Sequence, residues 1–194
     1  FKVLKEHQPD IFAFSIVQYI SGIKLSIEFL REVKEKFPNT LLIVDGTQYC
    51  GTENFDFDAS GIDVLISSTY KWLNAGYGNG FILFDEKVPE KLFPKAVGFN
   101  SLQGKYKEQE GNFLGKFEPG HQDTLNFGSL ETALRFMKEV GKETVQERIT
   151  TLASLAKKEF SDRGLLQEMV VKRPHHSSIF NINGDEKLFQ KLRS

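Results

Sequence analysis

Hydrophobic and polar positions change period several times along the chain, and each change marks an element. Ile11 to Val17 is a short run rich in β-branched and aromatic residues, the composition of a strand. After Ser21-Gly22, the apolar positions Ile23, Ile27, Leu30 and Phe37 recur at helical spacing until Pro38 stops them. Leu41 to Val44 is continuously apolar, as a strand covered on both faces is. Strand, helix, strand in this order predicts a parallel βαβ unit. Val64-Leu65-Ile66 and Gly80 to Phe84 add two more strands. The Asn74 to Asn79 connection between them is too short for a crossover helix, so the last strand is expected to run antiparallel to the third. The predicted fold class is α/β, with a mixed, mainly parallel sheet.

From Asp85 to Gly120 the pattern breaks into short apolar pieces separated by Pro89, Pro94, Gly98, Gly104, Gly111 and Gly115, as in a surface excursion or domain connection. A long amphipathic stretch then runs from Gly128 to about Arg163, with Gly141 interrupting or ending a first helix. Val170-Val171 and Ser178 to Ile182 read as two strands, and Glu186 to Leu192 as the start of a helix. Residues 1–118 are expected to be part of a large domain. Residues 119–194 are expected to be a connecting helix and the start of a smaller α+β C-terminal domain. The chain opens on Phe1 and closes on Lys191-Leu192-Arg193-Ser194 directly after a helix-like stretch, so it is expected to be a fragment.

Composition narrows the possible partners. Among 194 residues, 25 Lys+Arg face 26 Asp+Glu, a net charge of −1 that disfavours nucleic-acid or anionic-membrane binding driven by bulk charge. Hydrophobic residues make up 40% of the chain, which excludes general disorder, and no apolar run reaches the roughly 20 residues of a membrane helix. A single Cys excludes an intrachain disulfide framework and a multi-cysteine metal site, so the cytoplasm is the expected compartment. His175-His176 has no carboxylate or Cys neighbour at ligand spacing, so it is read as a solvated pair before a strand, and no metal site is expected.

Chemistry is expected just beyond the carboxyl ends of parallel strands, where open α/β sheets form their ligand crevice. Asp45 follows Leu41 to Val44, with Gln48 three residues on; Ser67, Ser68, Thr69, Tyr70 and Lys71 follow Val64 to Ile66. Taken singly, these are ordinary turn, cap and solvated residues. Together they would place a carboxylate, an amide, hydroxyls and an amine in one cleft. An amine desolvated at an apolar sheet end favours its neutral form, which can form a Schiff base with a carbonyl.

Val44-Asp45-Gly46-Thr47-Gln48, followed by Asp63 to Leu73 with Ser68-Thr69-Tyr70-Lys71-Trp72, resembles the cofactor-binding signature of class V aminotransferases. The resemblance continues through Gly76 to Phe81 and returns at Phe117-Glu118-Pro119-Gly120. It implies a fold-type I enzyme dependent on pyridoxal 5'-phosphate and acting on a small amino-acid substrate. Lys71 would be the catalytic residue, holding the cofactor aldehyde and shuttling a proton at the substrate Cα. Asp45 would pair with the pyridine nitrogen, Gln48 would bond the ring hydroxyl, Ser68 would bind the phosphate, and Tyr70 would approach it. The family also implies a homodimer with shared active sites.

Within the family, cysteine desulfurase or selenocysteine lyase-like activity is the leading expectation, on Gln48. Kynureninase-like hydrolysis is second, on Tyr19 and on Tyr70 before Lys71, where desulfurases usually carry His. An aminotransferase or epimerase of the same family is a further alternative. His121 stands where a threonine reaching the neighbouring subunit's phosphate would be expected. Cys50 is expected to be a small buried hydrophobe rather than a sulfur acceptor. A different class of reading is a non-catalytic or truncated module acting in binding or dimerisation.

Overall fold

The computed structural model describes residues 1–90, 92, 113–118, 120, 121 and 123–193. Pro94, Gly98, Gly104, Gly111 and Pro119 of the predicted excursion lie outside them. Four short strands, β1 (Ile11–Ser15), β2 (Leu41–Asp45), β3 (Val64–Ser68) and β4 (Gly80–Phe84), form one sheet in sequence order. The first two pairings are parallel and the third is antiparallel, as the short connection before β4 predicts. The register sets Ser15 against Asp45 and Asp45 against Ile66, so β1 and β2 end level and β3 runs two residues further, to Ser68.

The core lies under the two central strands. Leu42, Val44 and Leu65 are fully buried and pack with Ile16, Leu30 and Val33. Burying each such side chain contributes about 1.5–3 kcal/mol. Leu30 and Val33 come from α2 (Ile27–Lys36), preceded by α1 (Lys2–His7) at the start of the chain. The apolar periodicity from Ile23 overestimates the length of α2. Ser26 caps it, its hydroxyl accepting from Phe29 N at 3.2 Å, while Val17 and Lys24 pair in a β-bridge just upstream. Asp63 fastens α2 to the sheet: its Oδ2 accepts from Lys34 Nζ at 2.8 Å and from Leu42 N at 2.7 Å.

The amphipathic stretch after residue 120 forms two helices, α3 (Thr124–Val140) and α4 (Lys142–Asp162). Gly141 separates them with φ of 91°, a left-handed value that ends the first helix. Two short helices follow, α5 (Glu168–Val171) and α6 (Glu186–Arg193). Two sequence expectations are corrected here. Val170-Val171 belongs to α5 rather than to a strand, and Ser178 to Ile182 takes no regular secondary structure. A strand needs a neighbour for its backbone groups, and no described strand pairs with 178–182. That segment instead follows residues that seat on the loop after β1: Ser177 N and Oγ both donate to Gly22 O, at 3.1 and 2.9 Å. Gly22 has φ of 69°, and a Cβ there would lie 1.8 Å from Ile179 O, so only glycine permits the contact.

Candidate active site

Asp45 ends β2 with its carboxylate held on both oxygens. Ser15 Oγ donates to Oδ2 at 2.9 Å, and Thr47 N donates to Oδ1 at 2.9 Å. A carboxylate offers about four acceptor positions, so two remain for a ligand. The chain turns sharply at Gly46, where a Cβ would come 2.9 Å from Cys50 Sγ and 2.8 Å from Leu65 Cδ1. That turn brings Thr47 and Gln48 back over the end of β3.

Two side-chain bonds tie this turn to the segment that follows β3. Thr47 Oγ1 accepts from Ser68 N at 3.2 Å, and Gln48 Oε1 accepts from Trp72 Nε1 at 3.0 Å. Because the indole N–H can only donate, the Gln48 carbonyl must face it, which turns the amide NH2 away from the indole and leaves it as a donor. The bonds through Thr47 and Trp72 bring the Asp45 turn, Gln48 and Ser68 together at the ends of β2 and β3. Tyr70 and Lys71 follow directly. The Lys71 amine lies over the Tyr70 ring at 5.0 Å, and Tyr70 stacks on Tyr77 at 5.1 Å between ring centres. Lys71 is exposed, so the desolvated amine expected at a strand end is not found in this chain. The phenol and the open loop place it at the surface.

The loop from Thr69 to Asn79 is itself braced against α3. Gly76 N donates to Ser129 Oγ at 2.8 Å, and Asn79 Nδ2 donates to Asn126 O at 2.6 Å. Asn79 O accepts from the Thr69 hydroxyl at 3.3 Å, closing the loop on itself. Beside it opens a cleft of about 960 Å³ lined by Ile66, Phe81 and Phe127 together with Ser68, Tyr70 and His121. Asp45 and Lys71 are not among its lining residues.

Sequence reasoning missed Ser15, Thr47, Asn79 and Ser129. Ser15 was findable, since it is the polar residue at the carboxyl end of β1 and lies opposite Asp45. Ser129 carried no signal, because its partner lies 53 residues away. Cys50 is buried, and that burial pushes its thiol pKa up, opposed by a hydrogen bond from Ser67. It is the small buried hydrophobe expected, not an exposed nucleophile.

The chain matches the Aminotransferase class-V family over residues 1–191 and belongs to it. It is 30% identical over 148 residues to the alanine–glyoxylate aminotransferase of Felis catus, covering 73% of this chain and 35% of that protein. It is 29% identical over 161 residues to the isopenicillin N epimerase of Amycolatopsis lactamdurans, covering 78% of this chain and 40% of that one. The solved alanine–glyoxylate aminotransferase from Nostoc sp. shares the fold with a TM-score of 0.69 at 24% identity, covering 91% of this chain and 46% of that chain. Other relatives are named as probable cysteine desulfurases. The chain thus spans well under half the length of these relatives.

The family depends on pyridoxal phosphate. The donor set at the ends of β2 and β3 fits that group: a carboxylate with two acceptor positions left, an amide NH2 turned away from the indole, a hydroxyl and a primary amine. Among the described residues no helix is long and apolar enough to cross a membrane, and no cluster of three or more His, Cys, Asp or Glu is placed to hold a metal.

Proposed function

We propose that this chain is the part of a pyridoxal-phosphate enzyme that holds the cofactor, in a protein that removes or transfers a group near the Cα of an amino acid. The pair of bonds from Thr47 to Ser68 and from Gln48 to Trp72 carries this reading, because it fixes the Asp45 turn to the Lys71 turn. Bound pyridoxal phosphate supplies an electron sink for negative charge at the substrate Cα. Asp45, oriented by Ser15 and Thr47, holds a proton on the pyridine nitrogen. Gln48 donates its NH2 to the ring hydroxyl. Ser68 and Tyr70, which line the cleft, donate to the phosphate. Lys71 is the covalent attachment point, and its amine moves the proton at Cα.

The finer reading is cysteine desulfurase or selenocysteine lyase-like, favoured by the Gln48 amide. Kynureninase-like hydrolysis is the second reading, favoured by Tyr70, whose ring stands beside Lys71 and on the same cleft as Ser68. The natural full-length polypeptide is tested with cysteine, selenocysteine, kynurenine and an amino donor paired with glyoxylate. Sulfide or selenide with alanine supports the first reading, anthranilate with alanine the second. Transfer to glyoxylate alone replaces both with an aminotransferase.

The same reading includes a homodimer with residues from both chains at each site. Leu134 and Phe136 on α3 and Leu152 and Leu155 on α4 are exposed and offer apolar surface to it. Sedimentation of the full-length protein at low micromolar concentration tests this, and a clean monomer contradicts it.

A further inference from the structure

The loop that leaves β1 is gripped from outside by the segment 174–180. Ile23 and His176 form an antiparallel β-bridge, next to the two bonds from Ser177 to Gly22 O. Within the loop, Gln18 N donates to Ile23 O at 2.9 Å and Gly22 N to Gln18 O at 2.8 Å. The Gln18 side chain tightens it further, its Oε1 accepting from Ile20 N at 2.8 Å and from Ser21 N at 2.6 Å. At the root of the loop, Ile16 N donates to Asp45 O at 3.1 Å and Leu25 N to Ile16 O at 2.9 Å. Both ends of the gripped loop thus meet at a residue bonded to Asp45.

His176 is half-buried rather than solvated, which corrects the sequence expectation for the pair; only His175 is exposed. The His176 ring lies 4.9 Å from that of Phe180, which packs in turn at 5.7 Å on Phe160 of α4. Nε2 lies 2.9 Å from Ile179 O, a carbonyl that can only accept, so the neutral ring carries its proton there. Ile179 O is the same atom that packs against Gly22. Nδ1 is buried, and among the described residues it has no hydrogen-bond partner. An unpaired neutral lone pair there costs far less than a charged N–H without an acceptor.

No carboxylate beside the ring is free to offset such a charge. Glu53 is the one acidic residue lining the cavity of about 210 Å³ next to His176, and it is ion-paired to Lys24. The other ionisable groups around the ring are Lys157 of α4, whose Nζ donates to Arg173 O at 2.5 Å, Arg173, whose guanidinium donates to Lys24 O at 3.2 Å, and His175. Glu28 and Arg31 of α2 line a neighbouring cavity with His175. Burial first, then the charges of Lys157, Arg173 and Lys24, hold the His176 pKa below its ordinary value, against the opposing bond to Ile179 O.

We propose that His176 is a pH-sensitive latch: its neutral ring clips the segment 174–180 onto the loop from Gln18 to Lys24, and a proton on Nδ1 opens that clip. The proton comes from solvent and reaches Nδ1 only when the segment lifts away, because the atom is covered in the closed state. Once protonated, the ring stays in water rather than return its charge to a site with no acceptor and with cations around it. The open state thus binds one proton more than the closed state. Its ring titrates near the ordinary value of about 6.5, so the latch is fully closed above that pH and weakens as pH falls from there toward the lower pKa of the closed ring. Acidification in this way loosens the loop beside Asp45.

The test follows hydrogen exchange of the natural full-length protein from about pH 5 to 8, each rate divided by that of an unstructured amide at the same pH. Protection of the Ser177 and Gln18 amides, which donate to Gly22 O and Ile23 O, is expected to be level above about pH 7 and to fall by up to about tenfold per pH unit below about 6.5. The Val44 and Leu65 amides at the centre of the sheet should stay protected throughout. His176→Gln keeps an N–H for Ile179 O but takes no proton, so its Ser177 protection should be level across the range, while His175→Gln should keep the wild-type fall. If His176→Gln does not fold, the His176 ring signal of the wild type carries the test: its NMR midpoint is expected below that of the exposed His175. A level wild-type profile, the same fall in His176→Gln, a fall shared by Val44 and Leu65, or a His176 midpoint at or above that of His175 overturns the latch. None of these readouts needs cofactor or turnover, so the latch and the proposed function stand or fall separately.

Discussion

Ser15 stands directly opposite Asp45 in the parallel register of β1 and β2, and its hydroxyl donates to Asp45 Oδ2 at 2.9 Å. One carboxylate oxygen is thereby fixed by a neighbouring strand and the other by the turn amide of Thr47. Asp45→Asn is expected to lower kcat of the full-length enzyme by about 10²- to 10³-fold or more, because a preorganised charge partner is lost. Ser15→Ala removes only the orienting bond and should cost about tenfold, or about 1.4 kcal/mol. Steady-state kinetics of both variants check the ranking, and a larger loss in Ser15→Ala contradicts it.

Trp72 holds Gln48 through one hydrogen bond at 3.0 Å. Trp72→Phe keeps the aromatic bulk but frees the amide to rotate, so the direction of its donor is no longer fixed. Cofactor affinity should fall about tenfold, the size of one lost charge-assisted bond. Gln48→Ala should give a loss of similar size, and the double variant little more, since both changes remove the same contact. Equilibrium titration with pyridoxal phosphate measures all three.

Ser129 on α3 accepts the Gly76 N–H and so braces the loop that carries Lys71. Ser129→Ala should destabilise the loop by about 1 kcal/mol, the usual net worth of such a bond. Hydrogen exchange at Gly76 should accelerate about fivefold, while the amides of β2 and β3 remain protected. Uniform acceleration across the sheet would show that Ser129 acts on the whole fold.

Burial holds the Cys50 thiol in its neutral form, and only the thiolate attacks an alkylating reagent. Raising pH toward the elevated pKa should therefore be needed before native Cys50 reacts. In denaturant it should react at the rate of an ordinary free thiol. Mass spectrometry after timed iodoacetamide treatment checks this, and fast native labelling at neutral pH contradicts the burial.

The sheet was legible because its determinants are local. Continuous apolar runs marked β2 and β3, and the connection before β4, Thr69 to Asn79, is shorter than the dozen or so residues a parallel crossover needs. That Asp45, Gln48 and Ser68 lie at one end of the sheet was legible for a related reason: each stands at or just past the carboxyl end of a parallel strand. The segments at 170–171 and 178–182 were misread because β-branched and aromatic residues favour a strand only where a partner strand exists. Nor did the sequence reveal that Lys71 is exposed, since burial at a loop depends on what covers it. The brace from Ser129 to Gly76 and the seating of Ser177 on Gly22 bring together residues too far apart in sequence for any periodicity to mark.

The role of Lys71 is tested most directly by mapping covalent attachment. The full-length protein is loaded with pyridoxal phosphate, reduced with borohydride and digested, and the modified peptide is identified by mass spectrometry. The cofactor is expected on the peptide containing Tyr70-Lys71-Trp72, with the visible absorption band of the loaded protein lost on reduction. Lys71→Ala should abolish both the band and the label. Attachment at another lysine, or full turnover in Lys71→Ala, would contradict the joining of Asp45 and Lys71 in one cofactor site.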